Sequence, residues 1–169
     1  MTTYDRKVCM LGAAEVGKTS LVRRFVDGRF SDRYQSTIGV KVDRRTVPVG
    51  ADRLNLLLWD IEGETAHRSP PLRYLRGAAG YLLVADGTKA STLETARSLQ
   101  AKVSSLSPGL PFLLMLNKSD RAGEWALDSA VLDTIEAAGW TLRRTSALTG
   151  EGVAEAFEHL AHQLRPLPA

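Results

Sequence analysis

Apolar and polar positions divide the chain into short apolar runs and longer amphipathic stretches that alternate along its length. The apolar runs have the length of buried strands, whereas the amphipathic stretches repeat apolar residues at helical spacing. The predicted strands are 7–11, 40–49, 54–60, 80–86, 111–116 and 140–145. The predicted helices are 20–26, 91–106, 128–138 and 152–164. Strands that alternate with helices indicate an α/β fold with a mostly parallel six-stranded sheet and helices on both faces.

Turn and capping signals complete the predicted topology. The second and third strands are separated by a short turn containing Gly50 and Asp52, so we expect a hairpin that adds one antiparallel edge strand. Ser91 and Glu94 have the spacing of a capping box at the start of the second helix, and Gly139 is a natural end for the third. No repeat or interdomain linker is evident, which predicts that residues 1–169 form one domain.

Composition narrows the classes of function. Apolar residues make up 44% of the chain and charged residues 24%, as in folded domains that bury a full core. The net charge of +3 comes from scattered basic residues, with pairs such as Arg23-Arg24 that are typical of solvated faces, so no nucleic-acid partner is expected. No apolar run is long enough to span a membrane. The one cysteine, Cys9, falls in the first strand, which predicts a buried residue and favours a reducing, cytoplasmic location.

The loop after the first strand carries the strongest chemical signal. Residues 12–19 are GAAEVGKT and match G-x-x-x-x-G-K-[ST], the phosphate-binding loop between a strand and a helix. Gly12 and Gly17 permit a tight path and close approach to phosphates, and the helix N-terminus favours negative charge. Lys18 is expected to reach β- and γ-phosphate oxygens, and the Thr19 hydroxyl to bind Mg²⁺. The expected phosphate-binding residues are Ala14, Glu15, Val16, Gly17, Lys18, Thr19 and Ser20.

A second motif follows the third strand. Asp60 and Gly63 form D-x-x-G, which alone is more often a turn. After a strand and a phosphate-binding loop, however, it predicts that Asp60 holds Mg²⁺ directly or through water, and that the Gly63 N–H meets the γ-phosphate.

The loops after the last two strands predict which base is bound. Asn117, Lys118 and Asp120 form N-K-x-D, in which the Asp120 carboxylate can accept hydrogen bonds from the N1–H and 2-amino groups of guanine. Adenine lacks those donors and would leave the carboxylate unpaired. Lys118 can lie along the purine and Asn117 can tie the loops together. In the last loop, which holds Ser146, Ala147 and Leu148, an N–H near Ala147 can meet the guanine O6.

Together these motifs resemble the small GTPases of the Ras superfamily, with Rab-like features, over about residues 6–165. The resemblance implies a P-loop nucleotide-binding domain, two nucleotide-sensitive switches at about 31–41 and 61–76, and bound GTP or GDP with Mg²⁺. It assigns Thr37 to Mg²⁺ and the γ-phosphate, Phe30 to the side of the guanine, and Tyr34 to a lid over the phosphates. Effectors, exchange factors and activating proteins would bind through the two switches.

Acidic residues distinguish the second switch from that family pattern. Glu64 stands where the family has the glutamine that orients the attacking water, and a carboxylate cannot donate a hydrogen bond to the γ-phosphate. Glu62 replaces a small residue and Glu15 lies in the phosphate-binding loop, so three carboxylates either crowd the γ-phosphate or point to solvent and cations. The Ala14 methyl could crowd an arginine supplied by an activating protein.

Two other departures concern the switch helix and the C-terminus. Pro70 and Pro71 predict a distorted or shortened helix in the second switch, because neither donates a helical hydrogen bond. The sequence at 165–169 has no cysteine, so no lipid anchor is evident there. These features resemble prokaryotic Ras-like GTPases more than eukaryotic Rabs.

Two main functions remain open at this point. The first is a guanine-nucleotide switch that hydrolyses GTP slowly, with catalytic roles for Lys18, Thr37, Gly63 and Glu64. The second is a pseudo-GTPase that binds nucleotide with negligible hydrolysis, favoured by Glu62, Glu64 and the diproline. An ATP-dependent kinase or ATPase on the same loop is disfavoured by the guanine-type N-K-x-D motif.

Overall fold

The sheet orders its strands so that the predicted loops meet at one edge. A computed structural model describes residues 1–31, 33 and 36–166. Its strands are β1 (Thr3–Gly12), β2 (Val40–Val49), β3 (Asp52–Ile61), β4 (Gly80–Asp86), β5 (Phe112–Asn117) and β6 (Leu142–Arg144). They form one six-stranded sheet in the order β2-β3-β1-β4-β5-β6. Only the β2–β3 pair is antiparallel, so the predicted fold class and the hairpin are confirmed.

Helices cover both faces of the sheet and enclose two cores. The α-helices are α1 (Lys18–Asp27), α2 (Ala90–Leu106), α3 (Ser129–Ala137) and α4 (Val153–Gln163). Side chains alternate along β4: Leu82 and Val84 pack with α1 and α4, whereas Leu83 and Ala85 pack with α2 and α3. Because every residue of β4 is buried, this strand is the centre of the fold and reads as a continuous apolar run in the sequence.

Helix ends follow the local chemistry, with one correction. Asp128 caps α3 by accepting the Val131 N–H over 2.8 Å, and the helix ends just before Gly139, whose φ is +86°. The predicted capping box at Ser91 and Glu94 is wrong. Helix α2 begins at Ala90 after an extended Lys89, so Ser91 lies inside the first turn and cannot act as its cap.

The second switch has little helix, as its prolines predict. After Pro71, which is extended, only a 3₁₀ turn over Leu72–Leu75 forms. Upstream, Thr65 and Arg68 close a tight turn through the bond from the Thr65 N–H to the Arg68 carbonyl, 2.8 Å. The switch therefore presents loop side chains rather than the face of a long helix.

Two further expectations concern the interior and membranes. Cys9 is fully buried in β1, and burial raises the pKa of its thiol to about 12, which leaves it an inert packing residue. Within the part of the chain that the structure describes, no helix combines the length and the apolar character needed to cross a bilayer.

Truncating Phe157 should test the core beneath the α1–α4 face. Its ring is fully buried and stacks on Phe25 with centroids 4.2 Å apart. We expect Phe157→Ala to lower the free energy of unfolding by about 3–5 kcal/mol, measured by urea titration, because it leaves a cavity. Glu158→Ala, at an exposed position on the same helix, is the control. A loss below about 1 kcal/mol for Phe157→Ala would contradict the packing.

Candidate functional site

A cavity of about 660 Å³ lies at the carboxyl ends of the parallel strands. This is where ligands bind to open α/β sheets, and the volume suits a small-molecule ligand. The loops after β1, β3, β5 and β6 contribute to its wall, together with the start of α1 and the first switch. The predicted site residues that line it are Ala14, Glu15, Gly17, Lys18, Thr19, Ser20, Phe30, Thr37, Gly63, Asn117, Lys118, Asp120, Ala147 and Leu148.

Other predicted site residues lie elsewhere. Val16, Ser146 and Asp60 are buried and are not among the lining residues, although Asp60 accepts a hydrogen bond from Thr19, which does line the cavity. Glu64 is turned away from the cavity. Tyr34 falls outside the described residues.

The phosphate-binding loop lies against β4 and β5 at its two glycines. A Cβ on Gly12 would lie 2.4 Å from the Val84 carbonyl oxygen, and one on Gly17 would lie 2.4 Å from the Asn117 amide nitrogen. Gly17 also has a φ of +102°, which glycine adopts without strain. These two glycines therefore let the loop lie close to Val84 of β4 and Asn117 of β5 and turn directly into α1.

Lys18 is placed to receive an anion. Its ammonium donates to the Gly12 and Ala13 carbonyls over 3.3 and 3.0 Å, so two of its three donors hold it against the loop. Burial lowers the pKa of Lys18 to about 8, and the negative charge of Asp60 only partly offsets that effect. A phosphate at the cavity would supply the missing negative charge and favour the ammonium form.

Three oxygen-bearing side chains converge beside Lys18. The Thr19 hydroxyl lies 2.5 Å from Asp60 Oδ2 and 2.7 Å from the Thr37 hydroxyl. Asp60 Oδ1 is buried and, among the described residues, has no hydrogen-bond partner. Burial raises the pKa of Asp60, although the hydroxyl of Thr19 and the charge of Lys18 oppose this. An orphaned carboxylate oxygen next to two hydroxyls fits a hard cation such as Mg²⁺.

Asn117 joins the loops, as predicted. Its amide donates to the Val16 carbonyl over 2.9 Å, and its oxygen accepts from the Thr145 hydroxyl and the Ala147 N–H, each over 3.3 Å. The Ala147 N–H, which we expected to face a base, is thus directed at Asn117. These bonds are long, so that N–H has no optimal partner within the protein.

Asp120 and Lys118 line the same cavity as Lys18 and Thr19. Ser146 donates to one carboxylate oxygen of Asp120 over 2.7 Å and orients it. Lys118 binds Asp86 over 2.9 Å and the Glu15 carbonyl over 3.0 Å, which links β4 to the phosphate-binding loop. Burial acts to raise the pKa of Asp86, but hydrogen bonds from Thr88 and Lys118 hold it below the usual value.

Sequence patterns missed one supporting residue. Arg24, on α1, donates to the Ala147 carbonyl over 2.8 Å and also binds the carbonyls of Leu148 and Gly28. The expectation that the Arg23-Arg24 pair is merely solvated is therefore wrong for Arg24. Nothing in the local sequence could reveal this, because the contact spans 123 positions along the chain.

The carboxylates of the second switch meet cations. Glu62 is buried at the cavity wall, with Oε1 3.3 Å from the Arg68 guanidinium. Glu64 accepts from the Ser69 hydroxyl over 3.0 Å and lies 3.5 Å from the Lys102 ammonium of α2. Glu15 is exposed. Of the two arrangements left open by the sequence, the one with outward or paired carboxylates is present.

The second switch is also joined to the phosphate-binding loop through the backbone. The Glu64 N–H donates to the Gly12 carbonyl over 3.0 Å, and the Ala14 N–H donates to the Glu64 carbonyl over 2.9 Å. A Cβ on Gly63 would lie 2.5 Å from the Ala14 backbone, so only glycine permits this approach.

Comparison with known proteins places this site in a family. The family model described as "Ras family" matches residues 7–166. The chain is 35% identical to Ras-related protein Rab-4 of Dictyostelium discoideum, covering 91% of this chain and 76% of that protein. It is 35% identical to GTP-binding protein ypt5 of Schizosaccharomyces pombe, covering 97% and 80%, and 32% identical to Ras-related protein Rab-13 of Bos taurus, covering 95% and 81%. The chain belongs to the Ras family and is similar to its Rab members.

Proposed function

We propose that this protein is a guanine-nucleotide switch that binds GTP or GDP with Mg²⁺ and hydrolyses GTP slowly. The observation that carries the proposal is one cavity lined both by Lys18 of the phosphate-binding loop and by Asp120 of the N-K-x-D motif. Membership of the Ras family supports it, as does a relative named a GTP-binding protein.

At the phosphate end, the protein supplies positive charge and backbone donors. Lys18 would bind β- and γ-phosphate oxygens, and the loop from Ala14 to Ser20 would surround them with N–H groups at the start of α1. Mg²⁺, held by Thr19, Thr37 and Asp60, would neutralise charge on the phosphates. Because burial lowers the pKa of Lys18, a bound phosphate would favour the ammonium form of this side chain.

At the base end, Asp120 would select guanine. Its carboxylate can accept from both the N1–H and the 2-amino group, and Ser146 already fixes its orientation. Phe30 and Leu148 line the cavity as apolar surfaces, with exposed fractions of 38% and 49% that a flat purine ring could cover. Lys118 and the Ala147 N–H complete the set of base contacts, and Tyr34 is proposed as a lid over the phosphates.

Switching would follow from contacts that need the third phosphate. Thr37 and Gly63 lie at the cavity in the first and second switch, so γ-phosphate contacts would order both segments and hydrolysis would release them. Effectors, exchange factors and activating proteins would read this difference at about 31–41 and 61–76. We place this activity in the cytoplasm.

Glu64 limits the expected rate. To position water it would have to leave Ser69 and Lys102, and as a carboxylate it still could not donate to the γ-phosphate. Slow hydrolysis is therefore proposed, with Lys18, Thr37 and Gly63 stabilising charge and Glu64 as an inefficient substitute for glutamine. The paired position of Glu64 equally favours the alternative, a pseudo-GTPase with negligible turnover.

Base selection can be tested by Asp120→Asn. An amide can donate to the C2 carbonyl of xanthine but cannot accept both guanine donors, so GDP affinity should fall roughly 100-fold or more while xanthosine diphosphate binding improves. Titration with fluorescent nucleotides, ADP included, measures this. Asp128→Asn, a helix cap away from the cavity, is the matched control. Unchanged GDP affinity in Asp120→Asn would refute base selection by Asp120, and a preference for ADP in the unsubstituted protein would refute guanine binding.

Arg24→Ala should accelerate nucleotide release. Arg24→Ala removes the bonds that this side chain donates to the Ala147 and Leu148 carbonyls. The loop after β6, which is proposed to contact the base, is then no longer held to α1. We expect GDP dissociation to become about 10-fold faster, since each bond from a charged donor contributes about 1.5–3 kcal/mol, only part of it felt by the ligand. Stopped-flow displacement measures the rate, and Arg143→Ala at an exposed site is the control. An unchanged rate would show that this anchor does not support binding.

Single-turnover hydrolysis of bound GTP separates the two functional alternatives. A slow GTPase that relies on Glu64 should lose activity in Glu64→Ala, whereas an inert wild type that gains activity in Glu64→Gln is a silenced GTPase. The position of Glu64 leads us to expect slow wild-type turnover and a rate at least about 10-fold higher in Glu64→Gln. Identical rates in all three proteins would mean that position 64 has no part in hydrolysis.

A further inference from the structure

The second switch brings an arginine of this chain to the phosphate end of the cavity. Arg68 lines the same cavity as Lys18, Thr37 and Gly63. Its guanidinium is held there by Glu62, 3.3 Å away. No motif pointed to this pair, because Glu62 and Arg68 meet only through the folding of the switch.

A tight turn creates that position. The Thr65 N–H donates to the Arg68 carbonyl over 2.8 Å, the Arg68 N–H returns a long bond of 3.4 Å, and the Thr65 hydroxyl accepts the His67 N–H over 3.3 Å. This turn, which begins two residues after Gly63, folds the chain back so that Arg68 reaches Glu62. Pro70 and Pro71 then keep the following backbone from forming an α-helix that would include Arg68.

The two partners differ in their freedom to move. The Glu62 side chain is only 8% exposed, and its backbone N–H binds the Gly39 carbonyl over 2.8 Å at the base of the first switch. The Arg68 side chain is 67% exposed. Glu62 is therefore the fixed partner, and the guanidinium can exchange one anion for another at little cost in packing.

From these contacts we infer that Arg68 binds the γ-phosphate of GTP from within the same chain, and that Glu62 retains the guanidinium when that phosphate is absent. The inference rests on the proposed guanine-nucleotide function. A guanidinium presents five N–H donors in a planar fork that suits phosphate oxygens, and a terminal phosphate offers more negative charge than one carboxylate. Arg68 would then favour GTP over GDP and offset developing charge during hydrolysis.

A simpler role would be that Arg68 only neutralises Glu62. A buried carboxylate near the phosphates would repel them, and an arginine could relieve this without touching nucleotide. The two roles differ once Glu62 is uncharged. In the Glu62→Gln background, removing an arginine that only neutralises Glu62 should not change nucleotide affinity. Removing an arginine that contacts the γ-phosphate should still weaken binding of the GTP analogue.

The test measures the ratio of affinities for a non-hydrolysable GTP analogue and for GDP. Four proteins are compared: the unsubstituted chain, Arg68→Ala, Glu62→Gln and the double variant, with Arg73→Ala as a control at an exposed arginine of the same switch outside this cavity. We expect Arg68→Ala to lower the ratio about 10-fold in both backgrounds, with GDP affinity unchanged in the Glu62→Gln background. Arg68→Lys should restore part of the preference. Where the unsubstituted chain hydrolyses GTP, the single-turnover rate should fall in parallel.

The inference is overturned if Arg68→Ala leaves the ratio unchanged in the Glu62→Gln background, or weakens GDP and the GTP analogue equally. Failure of the proposed function is seen separately and earlier, as absence of GDP binding by the unsubstituted chain. A lack of hydrolysis does not affect the affinity test.

Discussion

The buried side-chain amide of Asn117 fixes the loops of the cavity relative to one another. The Asn117 side chain contacts the phosphate-binding loop at Val16 and the last base loop at Thr145 and Ala147, while its backbone carbonyl accepts the Gly87 N–H. Three loops that are distant in sequence are therefore tied to the end of β5. Because a buried amide without partners is costly, each of these bonds constrains the loops as much as it stabilises the fold. The close fit of Gly17 against the same amide explains why the loop admits no side chain there.

Where short-range patterns decide structure, the sequence was sufficient. Strand β4 has its predicted limits, Gly80–Asp86, because a fully buried parallel strand is a continuous apolar run. The phosphate-binding loop, the hairpin and the short switch helix follow from glycine, turn and proline chemistry in the same way. Convergence of the motifs on one cavity follows from the parallel sheet, since its carboxyl ends share an edge.

Side-chain contacts between residues that are distant in sequence could not be predicted. The predicted capping box is wrong because the helix begins at Ala90, one residue earlier than expected, after an extended Lys89. Arg24 binds Ala147 across the fold, and Glu64 turns to Lys102 on α2, contacts set by tertiary packing rather than by neighbours in sequence. For three acidic residues near a phosphate motif, the sequence left crowding and outward or paired positions equally open; two of them are paired and the third is exposed. The position of an acidic residue in the sequence does not show which way its side chain points or which cation it pairs with.

The contact between Gly63 and Ala14 has a consequence for how this protein can evolve. The two backbones leave no room for a further carbon atom at position 63, whichever residue stands at position 14, because the nearest atoms belong to the backbone. A side chain at 63 would have to push the second switch away from Gly12 and Ala14, and with it the backbone bonds at Glu64. A substitution of Gly63 should therefore be accepted in evolution only together with a rearrangement of the second switch. This close contact thus restricts how far the backbone of the switch can diverge.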